Sequence, residues 1–216
     1  MSSTIHFYGG AGAVTGSNFL LDTGEAKILI DCGLSQGRHN AEAQNWEAFS
    51  YDVASVPFLF VTHAHIDHIG RIPKLVKDGF KGRIISTEAT KALAEPLLLD
   101  SMELLAHDAH KHGRPELYDE HDIKRTMQLW EGVFYEKSVE IVPSTKVELI
   151  DAGHILGSAM VKVVRGGKSV VFTGDLGGGN SPLLAPHAPL PHPEYLVMES
   201  VYGNRVRAED KNRRED

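Results

Sequence analysis

The stretch Val61-Thr62-His63-Ala64-His65-Ile66-Asp67-His68-Ile69-Gly70, VTHAHIDHIG, places three imidazoles and a carboxylate within six residues. It follows the apolar run Pro57-Phe58-Leu59-Phe60, so a short buried strand is predicted to deliver it into a loop. His63 and His65 are two apart, point the same way in extended backbone, and can share one ion. Asp67 and His68 come at the turn into a helix, displaced enough to serve a second ion. Three crowded histidines rarely serve packing, because each buried ring needs a hydrogen-bond partner. A metal site explains the cluster if further donors arrive from elsewhere.

Three more predicted strands supply them. KILI (27–30) runs into Asp31, VELIDAG (147–153) into His154, and SVVFTG (169–174) into Asp175. Donors at strand ends sit where loops present side chains from a rigid scaffold. Imidazoles and carboxylates alone form an N/O set suited to zinc or a similar divalent metal. Asp175, with two oxygens, can bridge two ions. Taken singly, some of these residues have ordinary readings. Asp67 fits the N-cap of the helix that follows, Asp31 a turn, and His154 a hydrogen-bonded core position. His107, His110 and His112 read as a solvated helix face, His187 and His192 as surface residues, and Cys32 as a small buried filler.

At 216 residues the chain can bury a real core as one large domain or a tight pair. No apolar run approaches the ~20 residues of a spanning helix, and MSSTIHFYGG has no leader pattern. A cytoplasmic protein with no membrane partner is expected, and one cysteine fits a reducing compartment. The formal charge of −7 gives no bulk support for gripping phosphates. Bound cations would offset the negative potential locally.

Short strands are predicted near 5–8, 18–21 and 27–30, separated by glycine turns. After the histidine motif, Ile69, Ile72, Leu75 and Val76 recur at helical spacing, ending at Gly79. A strand follows at 83–86, then a helix over 87–111 broken or kinked near Pro96, and a helix from Asp119 to Trp130. Strands return at 132–135, 138–142, 146–151, 159–165, 168–174 and 195–199. This mixture predicts an α/β architecture of sheet and helix layers. The proline-rich 185–195 reads as a surface loop, and the charged tail after Gly203 has no apolar stripe.

HAHIDH resembles the HxHxDH signature of the metallo-β-lactamase fold, with Asp31, His154 and Asp175 at its other motif positions. The phrases GAVTGSNFLL, LIDCGLSQG, DAGHILGSA, TGDLG and MESVYGNR resemble the β-CASP branch of RNA-processing nucleases related to the cleavage and polyadenylation endonuclease. The resemblance implies an αββα sandwich. It implies one zinc on His63, His65 and His154, a second on Asp67 and His68, and Asp175 between them, with manganese or iron as other candidates. Asp31 would orient a ligand, and Glu199 would support a histidine of an inserted domain. The implied activity is hydrolysis of RNA, single-stranded for preference, by water activated between two zincs.

Members of that branch continue into a β-CASP domain and a return segment that completes the sandwich. On this resemblance, residues 1–203 are the N-terminal portion of the lactamase domain and 204–216 begin a connection. The sandwich is then incomplete, the second zinc site weak, activity impaired, and self-association expected through uncovered apolar surface. Two rival readings remain open: a stand-alone hydrolase of a small ester, thioester or lactone, and a non-catalytic partner in an RNA-processing complex.

Overall fold

The computed structural model describes residues 2–37, 42–178 and 182–204. Its first sheet has the order β1-β2-β3-β4-β5-β6: Thr4–Gly9, Asn18–Asp22, Lys27–Ile30, Phe58–Phe60, Arg83–Thr87 and Trp130–Val133. The first three strands are antiparallel, and the pairs from β3 to β6 are parallel. The second sheet has the order β11-β10-β9-β8-β7, built from Val139–Val142 (β7), Thr145–Asp151 (β8), Ala159–Arg165 (β9), Lys168–Phe172 (β10) and Tyr195–Val197 (β11).

Side-chain alternation along the strands explains the layering. Leu29, Leu59 and Ile84 point from the first sheet into one core, while Ile28, Ile30, Phe60 and Ile85 point into another. The second core lies between the sheets, where Val147, Val161 and Phe172 meet them. The first core is closed by helices α1 (Ile66–Ile69), α2 (Ile72–Lys77), α3 (Glu88–Lys111) and α4 (Glu120–Leu129) through Ile69, Leu75, Leu98 and Ile123. Each fully buried aliphatic side chain is worth about 1.5–3 kcal/mol of transfer free energy. On the far face of the second sheet, Met160 and Val171 are covered by Leu176, Ala188 and Leu190. Among the described residues no helix packs there, so the layers run helix, sheet, sheet, loop. The proline-rich segment thus does more than lie on the surface, and its Ala188 N–H donates to Asp151 O at 3.0 Å.

Three local expectations change. The helix after the histidine motif is two helices, because the Arg71 N–H leaves the helical ladder to bond Cys32 O at 2.9 Å. The long helix runs on as one element through Pro96. Trp130 opens β6 instead of closing a helix: its ring is buried, its Nε1–H donates to Ser86 Oγ at 2.8 Å, and it pairs with Ile84. Pairing with β5 outweighs local helix propensity at that residue. The tail from 205 to 216 lies outside the described residues, and no described helix is long and apolar enough to cross a membrane.

Candidate metal centre

The sheets meet at the edge where β3, β4, β8 and β10 all end. Asp31 N–H donates to Phe60 O at 2.9 Å, and Ala159 N–H reaches across the sandwich to Thr62 O at 2.7 Å. Gly174 is required here: its φ is +53°, and a Cβ would lie 2.7 Å from Thr62 Cβ. These contacts fix the strand ends on which the donors sit.

His63, His65, His154 and Asp175 each offer one ligand atom, and the four atoms lie within 4.8 Å of one another. His65 Nδ1 is 3.0 Å from His63 Nε2 and 3.2 Å from His154 Nε2. Asp175 Oδ2 is 3.7 Å from His63 Nε2 and 3.5 Å from His154 Nε2. Four N/O ligands around zinc at 2.0–2.2 Å form a tetrahedron with edges of about 3.4 Å. The donor set fits a divalent ion in both chemistry and spacing.

One of the rings has its tautomer set from behind. His63 Nδ1 is 3.0 Å from Thr62 Oγ1, and Thr62 Oγ1–H donates to Asp31 Oδ2 at 2.8 Å. With its hydroxyl proton spent on Asp31, Thr62 accepts from His63 Nδ1–H, which leaves Nε2 as a lone pair facing the site. Burial, reinforced by the neighbouring imidazoles, holds His63 well below the usual histidine range, so its ring stays neutral and able to ligate. Burial also lowers His154. For His68, burial is opposed and outweighed by the charges and hydrogen bonds of Asp31 and Asp175, and it is pushed up to about 10.

Asp31 is no ordinary turn residue. It is buried with φ +56° and accepts from Thr62 N–H at 2.8 Å, Thr62 Oγ1, Ser17 Oγ at 3.3 Å and His68 Nδ1 at 2.7 Å. Nor is Asp67 a helix cap, since His65 holds that position and Asp67 sits in the first turn of α1. Its Oδ2 is 3.9 Å from His68 Nε2, and Asp175 Oδ1 is 3.5 Å from that same nitrogen. Asp175 therefore turns one oxygen toward the first group and the other toward His68. Beside this face opens a cleft of about 510 Å³, lined by Gly10 to Val14, Asp31, His68, Asp175 and Glu199. Glu199 Oε1 accepts Leu176 N–H at 2.6 Å, bracing the loop that carries Asp175.

The family model described as the metallo-beta-lactamase superfamily matches residues 11–202. The chain belongs to that superfamily. Its similarity to Ribonuclease TTHA0252 of Thermus thermophilus is 32% identity over 92% of this chain and 43% of that protein. With Transcription termination factor FttA of Methanocaldococcus jannaschii it is 33% identity over 92% of this chain and 31% of the relative. One relative is thus named a ribonuclease and the other a transcription termination factor, and this chain spans under half of either. A solved structure titled a protein of unknown function from Enterococcus faecalis shares the fold, with TM-score 0.56 at 17% identity over 82% of this chain and 44% of that one.

Within this metallo-β-lactamase chain, the described histidines outside the motif other than His154 do not join the four-donor group. His110 and His112 lie near Glu116 and Asp108 at the exposed end of α3, and His187 and His192 are exposed. Cys32 is buried, and burial pushes its thiol up to about 12. Sequence reading passed over Thr62 and Ser17, the hydroxyls that meet Asp31. The only trace of Thr62 is its place beside His63 at a strand end, where a side chain turned away from the site faces the residue behind it.

Proposed function

We propose that this chain carries the metal-binding portion of a hydrolase that cleaves RNA phosphodiester bonds. The carrying observation is Asp175, whose two oxygens face separate donor groups beside an open cleft. That arrangement supports a two-ion site, with His63, His65 and His154 on one side and Asp67 and His68 on the other. Zinc is the assigned metal on the basis of the donor set. When bound, such ions supply Lewis acidity and lower the pKa of water, and a pair can clamp both ends of an in-line displacement. The chain's own residues do the rest. Thr62, held by Asp31, keeps the His63 lone pair aimed inward, Glu199 and Leu176 hold Asp175 in register, and the glycine-rich wall of the cleft lets a backbone phosphate approach closely. The relatives named a ribonuclease and a transcription termination factor support RNA over a small ester, and single strands are proposed as the preferred form.

Zinc-loaded protein is expected to hydrolyse single-stranded RNA and bis(p-nitrophenyl) phosphate slowly, with Asp175→Ala at background on both. Turnover of a thioester or lactone panel with none on either phosphodiester would overturn this reading in favour of a small-molecule hydrolase. Residues 1–203 are assigned to the lactamase domain. Tyr195, Leu196, Met198 and Val201 are exposed around β11, which supports self-association through that edge. Sedimentation equilibrium is expected to show an apparent mass rising with concentration, and a constant 23.7 kDa monomer would contradict it.

A further inference from the structure

A second cavity, of about 240 Å³, lies on the other side of the loop that bears His154. One wall is Ile155 and Leu156, the two residues after that ligand. The opposite wall is the segment after β6, with Phe134 and Tyr135. The loop between the cavity and the metal centre is held rigidly. Thr87 Oγ1 and Thr90 Oγ1 both donate to Gly157 O, at 2.7 and 2.8 Å, and Tyr135 Oη donates to Ser158 O at 3.0 Å. Ser158 Oγ in turn accepts from His154 N–H at 3.0 Å. An occupant resting on Leu156 is therefore kept at a fixed offset from His154.

The lining chooses among occupants. Phe134 is 75% exposed and Leu156 60%, a large apolar display for side chains this close to a polar centre. The cavity is smaller than the ~300–1,000 Å³ of drug-sized sites, which suits one planar ring system. Its charged lining residues are Glu88 and Asp151, with no lysine or arginine. Carboxylates there repel a phosphate but accept from an exocyclic amino group, as they do from cytosine N4. Bases stack on aromatic faces whatever their sequence.

We infer that this cavity is a nucleobase subsite, in which Phe134 stacks a base of the bound strand and Glu88 or Asp151 accepts from its amino group. The inference rests on the RNA reading and adds a preference: bases with an amino group, such as cytosine, over uracil.

The test is fluorescence anisotropy of the zinc-loaded chain with labelled single-stranded oligomers of cytidine, of uridine and of abasic ribose, using the parent protein, Phe134→Ala and Phe134→Trp. Phe134 is exposed enough that Phe134→Ala keeps the fold, which an unchanged melting temperature confirms. The parent is expected to bind the cytidine oligomer more tightly than the uridine one. Phe134→Ala is expected to weaken cytidine binding about ten-fold, to leave abasic binding unchanged, and to be rescued by Phe134→Trp. Equal weakening on the abasic strand, or cytidine binding unchanged by Phe134→Ala, overturns the subsite while leaving the RNA reading intact. A Phe134→Ala that instead lowers the sedimentation mass marks a polypeptide interface and also overturns it. A parent chain that binds none of the oligomers overturns both.

Discussion

His63→Ala and His154→Ala proteins are expected to retain far less divalent metal than the parent after dialysis, read by elemental analysis. Each side chain supplies one of four candidate ligand atoms packed within 4.8 Å. Losing an outer partner alone costs about 10–100-fold in metal affinity, so losing a direct ligand should cost more. The two variants separate metal loss from misfolding. His63 is fully buried, and its truncation also opens a cavity, whereas His154 is only partly buried and should leave the metal-free fold largely intact. His110→Ala, on the exposed end of α3, is the control and should match the parent. Metal bound only to the native state adds about 2.7 kcal/mol at a hundred times its dissociation constant. Chelation should therefore lower the parent's melting temperature by about 5–10 °C and that of His154→Ala by much less. Parent-level metal in both histidine variants would remove the assignment.

The candidate donors were legible because strand ends mark them. A run of buried apolar residues followed by a donor occurs four times, and parallel or alternating strand order brings four such ends to one edge of a sandwich. Periodicity also located most elements, since β2 to β5 alternate between two cores. What stayed illegible was set by contacts distant in sequence. Trp130 reads as helical until Ser86 and Ile84 meet it from β5. The break at Arg71 depends on the carbonyl of Cys32, and the cover over Met160 and Val171 depends on a proline-rich segment with no pattern of its own. Thr62 hid for a related reason. A single hydroxyl carries no period, and its meaning comes from standing between His63 and a buried carboxylate thirty-one residues earlier.

That carboxylate yields the second large effect. Asp31→Ala is expected to destabilise the protein by about 3–5 kcal/mol, the cost of breaking a buried charged pair by removing one partner. It strands the Thr62 N–H, the Thr62 hydroxyl and His68 Nδ1–H, which all point at Asp31 today. The positive φ of +56° adds strain for alanine that asparagine tolerates well. Asp31→Asn therefore isolates the electrostatic part. It keeps the volume and one acceptor oxygen but presents amide hydrogens where His68 and Thr62 already donate. The parent's Asp31 turns His68 directly and His63 through Thr62, so two rings lose their orientation together. Asp31→Asn is expected to fold with a smaller loss in melting temperature than Asp31→Ala while binding zinc about 10–100-fold more weakly. Isothermal titration of zinc into the metal-free variants reads the affinity, and thermal melts read the stability. A role confined to packing would lower the melting temperature of Asp31→Asn and leave its zinc affinity at the parent value, and that result would end the positioning account.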